Sequence, residues 1–389
     1  MALLAACGPS RLSQPTSTSK PAPNNIFDEF LRADFNPADG FDFPFGNEDG
    51  KGSYLDKATG QTHQGWYIAT NFGENYRFGI HTGEDWNGNG GGNTDLGQEV
   101  YAVGNGRVTA AGAYGQPWGN MIVIDHIFYE NNERKSIRSV YAHLQHINVR
   151  VGQEVKRRQF IGTIGQDPDK TFGAHLHLEL RWDSSLSPTY WPSSNGKDVG
   201  WVKEHYTQPT SFINQHRSLP VPQTEPMLVL VDPQSYKMRI YQKQKLLGEY
   251  DVSFGQNPGP KQVEGDNKTP TGMYFVTLKH KGKFDGPYAA YYGGHWIKVN
   301  YPNAFDAARG VTEGIISSAQ QNEITTKWAK RQPTLETTRL GGGIGFHGWI
   351  KEWQNDGPRH LSFGCVVMHL SDIRTLFDQI PAGTMVVIF

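Results

Sequence analysis

The sequence predicts a mainly β, α+β chain of two domains, and three observations carry that expectation. Glycine and proline are plentiful, 45 and 23 of 389 residues, so turn signals are closely spaced. Apolar and polar residues alternate over short runs, while long helical periodicity is scarce. Residues 218–226 carry three prolines and divide the chain into two parts, each long enough to bury a core of its own. The formal net charge of −1 supplies no global attraction to nucleic acid. No apolar run is long enough to span a bilayer.

The chain starts Met-Ala-Leu-Leu-Ala-Ala-Cys7-Gly, which resembles the end of a bacterial lipoprotein signal, although the basic region and most of the apolar region of such a signal are missing. The resemblance implies export to the periplasm or cell envelope with a lipid anchor at Cys7. Residues 10–25 are rich in Ser, Thr, Gln and Pro and are expected to form a disordered tether. Phe27, Phe30, Phe41, Phe43 and Phe45 follow among acidic residues and are expected on the rim of the first domain, residues 26–217.

His81 and Asp85 are four apart, the spacing of one helix face. Gly79 and Gly83 interrupt the segment, so a loop or strand end is expected instead. Short strands then follow at residues 99–103, 106–111 and 120–126. The polar run 131–138 reads as a solvated hairpin tip, and residues 139–144 as a strand ending at His143. Two further strand-and-turn units lie at 151–155 and 161–165, and a closing helix is expected over 209–216.

The most regular stretch is Gly173-Ala-His175-Leu-His177-Leu-Glu179-Leu180. Strict alternation is the period of a half-buried strand, with the two histidines and Glu179 on one face and three leucines on the other. Two imidazoles projecting together can reach one metal ion. A catalytic zinc takes three protein ligands and leaves a position for water. Zinc can lower the pKa of that water toward ~7, and a neighbouring imidazole can accept the proton while another stabilises the oxyanion. His63, His126, His146, His205 and His216 match no such pattern and read as surface or structural residues.

In their order and context, His81-Thr-Gly-Glu-Asp85, Tyr141-Ala-His143-Leu, Val151-Gly-Gln-Glu-Val155 and Gly173-Ala-His175-Leu-His177-Leu-Glu179 resemble the zinc endopeptidases of the lysostaphin/LytM type. That resemblance implies a groove across an antiparallel sheet and a Zn2+ cofactor. By motif, His81, Asp85 and His177 are the metal ligands, with His143 and His175 as catalytic histidines. Some members of this family have lost ligands and activate other hydrolases.

The second domain, residues 227–389, opens with a hairpin expected around Asp232-Pro233. A turn, Thr269-Pro-Thr-Gly272-Met-Tyr274, leads into a strand, and His347-Gly and Ser362-Phe-Gly-Cys365 come later. A lone cysteine within reach of a histidine is a candidate nucleophile, with His347 taking the thiol proton. Gly364 is expected to leave room for substrate and a tight turn. Together these motifs resemble the YkuD-type L,D-transpeptidases. Phe363 stands where that family has histidine, and Val367 where it has Arg or Asn. With Asn300, Tyr301, Asp306 and Met368, these departures resemble a divergent, YafK-like branch that includes hydrolases of peptidoglycan-linked amides. Residues 304–340 are mildly helical and are expected either to cover Cys365 as a lid or to form a surface insertion.

The two resemblances imply a peptidoglycan-remodelling enzyme: a zinc endopeptidase cutting peptide cross-links, joined to a cysteine enzyme acting on stem peptides. Two other readings stay open. The second domain is a non-catalytic peptidoglycan-binding module, or the whole chain is a non-catalytic hydrolase activator.

Overall fold

The computed structural model describes residues 26–31, 36–167, 169–287, 289–351, 353–354 and 359–389. The signal-like start with Cys7 and the tether over residues 10–25 lie outside them. A short helix, α1 (Ile26–Leu31), comes first. The first domain is a ten-stranded sheet of β1 (Trp66–Thr70), β2 (Glu84–Gly88), β3 (Glu99–Tyr101), β4 (Gly106–Ala113), β5 (Asn120–Glu130), β6 (Glu133–Ile147), β7 (Glu154–Val155), β8 (Phe160–Ile164), β9 (Leu176–Arg181) and β10 (Tyr206–Thr207). Its spatial order is β7-β4-β5-β6-β9-β2-β1, with β8 on β6 and β3, and β10 on β9. Two small helices, α2 (Val199–His205) and α3 (Pro209–Gln215), close the domain. Helix α3 starts on a proline, whose missing N–H costs nothing in the first turn, and it buries Phe212 and Ile213.

The strand β9 lies at the centre, antiparallel to both β6 and β2. Leu176, Leu178 and Leu180 are fully buried in the core, each contributing about 1.5–3 kcal/mol by leaving water. The alternation is as expected, but β9 is not half-buried: all six residues are buried. Its polar face lies beneath the walls of a groove and carries an internal ion pair between Glu179 and Arg181. Phe41, Phe43 and Phe45 also depart from expectation. They pack inside this core against Trp86 and Phe128 rather than on its rim.

The second domain comprises β11 (Met227–Asp232), β12 (Lys237–Gln242), β13 (Lys245–Gly255), β14 (Gly272–Lys281), β15 (His295–Val299), β16 (Gly345–Trp349), β17 (His360–Ser362), β18 (Val366–His369) and β19 (Met385–Ile388). The nine strands run β12-β11-β19-β14-β15-β16-β18-β13-β17, and an extra β12–β13 pairing closes eight of them into a barrel. Helices α4 (Ala304–Thr312) and α5 (Ser318–Ala329) both open on a capping box, and α6 (Leu370–Gln379) packs on the barrel through Ile373 and Leu376.

The polar run of the β5–β6 hairpin is solvated only in part: Glu133, Arg134 and Ser136 are exposed, while Asn131 and Asn132 at the tip are half-buried. The tip docks on the second domain. Asn131 Oδ1 accepts from the Met273 N–H and from Asn303 Nδ2, each at 3.2 Å, and Asn132 Nδ2 donates to Ile388 O at 3.1 Å. Gly272 permits this approach. A Cβ there would lie 2.0 Å from Asn131 Oδ1, and its φ of +137° suits glycine. Behind the tip, Phe27, Phe30 and Tyr129 join Leu228, Met273, Trp328 and Val387 in a core shared by both domains. The linker is ordered as well: Gln223 bonds Tyr129 Oη and Phe30 O, and Glu225 pairs with Arg331. Tyr129 is fully buried, and its hydroxyl donates to Phe30 O at 3.1 Å. Tyr129→Ala is expected to cost about 3–5 kcal/mol. Calorimetry should then show the single unfolding transition of the wild type resolve into two, with faster proteolysis within residues 218–226.

Candidate metal centre and thiol site

Three side chains meet on β2, β9 and the loop before β2. Register places His177 directly opposite Asp85 on one side and Ala142 on the other. His81 comes from the turn ahead of β2. His177 Nδ1 lies 2.9 Å from Asp85 Oδ1 and 3.1 Å from His81 Nε2, and His81 Nε2 lies 3.0 Å from the same Asp85 oxygen. One donor atom from each residue falls within 4.8 Å of the other two. Burial works against charge at this point, yet hydrogen bonds from His177 and His81 hold the Asp85 carboxyl well below its ordinary range. The Asp85 and Glu179 carboxylates likewise overcome burial and raise His177 to about 9. Positive charge is therefore favoured at the centre. Two imidazoles and a carboxylate converging on one point fit a tetrahedral divalent cation with one position left over.

His143 and His175 stand beside this cluster. His143 is at a bulge in β6, where the register against β5 shifts between Tyr141 and Leu144 and its own φ is +61°. A bulge re-aims a side chain that regular alternation would send elsewhere. The His143 and His175 rings lie 4.6 Å apart. His175 Nδ1 is 2.9 Å from Gly173 O, and its Nε2 is 3.9 Å from Asp85 Oδ1. Burial, reinforced by His175 and His177, holds the His143 imidazole well below its ordinary range. Its Nδ1 is buried with no hydrogen-bond partner among the described residues.

All five residues line one groove of about 800 Å3 with Tyr76, Phe78, Trp118, Phe172 and Trp191 on its walls. Sequence reasoning missed these aromatic residues because none lies in a motif. Trp118 stacks edge-on to both His177 and Trp191, and Arg77 sits over the rings of Phe78 and Phe172.

The second constellation sits on neighbouring parallel strands. His347 is opposite Val367, so Cys365, just before β18, lies near the start of β16. No hydrogen bond joins the two. Cys365 Sγ is 3.5 Å from Gly343 O, and His347 Nδ1 is 2.7 Å from Gly348 O. Burial pushes the thiol up to about 11 and the imidazole down to about 4. Burial thus works against a resting thiolate, and no imidazolium stands by to lower the thiol. Two groups absent from the sequence reading flank the pair. Tyr292 packs on the His347 ring at 4.7 Å, while the buried Lys261 ammonium acts to lower the thiol.

Ser362 Oγ bonds Cys365 O at 2.5 Å and accepts from Gly364 N at 3.1 Å, so the Ser-Phe-Gly-Cys turn is self-braced. Gly364, with φ of +134°, faces Lys268 O at 2.8 Å from a would-be Cβ. The space it leaves is taken by the neighbouring loop, not kept for substrate. Phe363, in the place of a family histidine, is 55% exposed and thus accessible to a ligand. Within residues 304–340, α5 places Trp328 on Met273 and Phe275 at the domain junction, and the Cys365 thiol meets the loop at Gly343, just beyond that region. Asp306 is the half-buried capping-box residue of α4, and loss of solvent raises it to about 6. Its partner is Tyr274, so both brace the scaffold.

The chain thus places a β-sheet groove with this cluster ahead of a closed barrel bearing a cysteine. Residues 79–188 match the model of Peptidase family M23 and residues 226–388 that of the L,D-transpeptidase catalytic domain, YkuD, and the chain carries a domain of each. Over 93 residues it is 37% identical to the murein hydrolase activator NlpD of Escherichia coli (strain K12), covering 24% of this chain and 22% of that protein. The chain thus spans about a fifth of the length of that relative. The lipoprotein NlpD of Yersinia enterocolitica is 36% identical over 93 residues, 24% of this chain and 87% of that protein. Among solved structures, the catalytic domain of lysostaphin from Staphylococcus simulans is 24% identical, with coverage of 38% and 90% and a TM-score of 0.27. The helical cell shape determining protein Pgp2 from Campylobacter jejuni is 22% identical, with coverage of 42% and 47% and a TM-score of 0.29.

Proposed function

We propose that this chain remodels peptidoglycan in the cell envelope, with a zinc endopeptidase in residues 26–217 and a cysteine-dependent enzyme in residues 227–389. One observation carries the reading: His81, Asp85 and His177 converge, with His143 and His175 beside them, at the floor of one aromatic-walled groove. Zinc held there supplies Lewis-acid polarisation of a peptide carbonyl and an acidified water. His175 keeps its Nδ1 proton on Gly173 O, which leaves Nε2 on the side of the cluster as the proton acceptor. His143, held neutral by burial, offers an N–H to the developing oxyanion. The groove walls exclude water and seat a peptide cross-link. The Cys365 sulfur, its proton passing to His347, bonds to a stem-peptide carbonyl carbon as the peptide C–N bond breaks, and His347 returns the proton to the leaving amine. Lipidation at Cys7 would tether both domains at the polymer, where weak sites suffice because local concentration is high.

A second reading, a murein hydrolase activator, is favoured by the likeness to the murein hydrolase activator NlpD. The completeness of the ligand cluster supports catalysis over that reading. Digestion of purified sacculi separates them. Dimeric muropeptides should be lost with the wild type, persist after chelation, and be lost again when zinc is restored. Dimers that persist under all three conditions would refute the endopeptidase.

A further inference from the structure

The outer nitrogens of the two clustered histidines are treated differently. His81 Nδ1 lies 3.2 Å from a neutral backbone acceptor, Asn71 O. His177 Nε2 instead faces a carboxylate, Glu179 Oε2, at 3.5 Å. Glu179 is two residues along β9 from His177, on the same face, and is fully buried. Burying an ionised carboxylate costs several kcal/mol unless it is compensated. Here compensation is built in: Thr82 Oγ1 donates to Oε2, and Arg181 Nε donates to Oε1. Arg181 is itself fully buried, and its remaining nitrogens donate to Ser187 O at 2.7 Å and Pro188 O at 3.0 Å. That loop runs on to Thr189, Trp191 and Ser194 in the groove wall.

We propose that Glu179 is a positioning residue for the metal centre. It accepts the Nε2 proton of His177, which fixes the tautomer that turns Nδ1 toward His81 and Asp85. A carboxylate in this place also makes the imidazole a better donor than a carbonyl would. Through Arg181 the same device ties the ligand strand to the wall of the groove, so ligand geometry and substrate seating are held together. This rests on the reading of His81, Asp85 and His177 as zinc ligands.

The test is zinc affinity of the full chain, read by competition with a chromogenic chelator, with folding followed by circular dichroism. Glu179→Gln is expected to weaken zinc binding about 10–100-fold. Because that variant leaves Arg181 unpaired, the double variant Glu179→Gln/Arg181→Met removes both buried charges and keeps the measurement possible if the single variant misfolds. Thr82→Val, which removes one donor to the carboxylate, should give a smaller loss in the same direction. Weaker zinc binding by a folded variant supports the role. Wild-type zinc affinity within twofold in the folded variants overturns it and leaves the endopeptidase reading intact. A wild-type chain that binds no zinc overturns both.

Discussion

Replacing His177 with Ala is expected to lower cleavage of cross-linked muropeptides by about 10³-fold or more, because the metal's charge stabilisation is worth several kcal/mol of barrier. The same change should abolish stoichiometric zinc. His177 is the hub of the cluster: its Nδ1 is within 3.1 Å of both other candidate ligand atoms, and it stands between Asp85 and Ala142 in the sheet register. Truncation leaves two ligands and an Asp85 carboxylate that loses its principal hydrogen-bond donor. The fold should survive, since the strand is anchored by Leu176, Leu178 and Leu180 on the opposite face. Alkylation of Cys365 in the same variant should match the wild type, which separates loss of the centre from loss of the protein. Metal analysis and muropeptide chromatography on one preparation check all three points. Wild-type cleavage by His177→Ala would sink the assignment of His177 as a ligand.

Much of this site was legible because strand period and motif order agree. Alternation over residues 173–180 already put His175, His177 and Glu179 on one face, and the sheet keeps them there. His143 was nameable from its motif, but its route into the site was not. It depends on a bulge with a positive φ, which nothing in Tyr-Ala-His-Leu encodes locally. The groove walls were hidden for a different reason. Tyr76, Trp118 and Trp191 come from loops far apart in the chain and meet only through the fold. Within the hairpin tip Asn131 and Asn132 misled, because polarity was taken for solvation, whereas Glu133, Arg134 and Ser136 are exposed as expected. Asn131 and Asn132 are polar because they bond the other domain's backbone and Asn303, an exchange of partners that sequence pattern alone does not distinguish from exposure to water. Phe27 and Phe30, aromatic among acidic residues, were expected on the rim of the first domain, and they serve the junction. The linker shows the limit of composition: three prolines stiffen residues 218–226, but Gln223 and Glu225 fix them in place.

The second domain makes the other large prediction. With the thiol pushed up to about 11, Cys365 at pH 7 is thiolate only to about one part in 10⁴, against a few per cent for an ordinary cysteine. Its alkylation by iodoacetamide should therefore be about 100-fold or more slower than that of free cysteine. The sign is set by the acid form: a raised pKa keeps the neutral thiol to higher pH. The rate should accordingly climb about tenfold per pH unit from 7 to 10 without a plateau. His347, pushed down to about 4, is neutral across that range and adds no charge, so His347→Ala should leave this profile within about twofold of wild type. Turnover of stem peptides is a different quantity. A neutral imidazole is free to receive a proton as the sulfur attacks, so His347→Ala and Cys365→Ala should both abolish it if the domain is an enzyme. A domain that only binds would show the same slow alkylation and no turnover in any variant. An alkylation plateau below pH 7 that vanishes in His347→Ala would mean a standing thiolate–imidazolium pair, and would overturn the view that burial keeps this pair neutral until an acyl donor arrives.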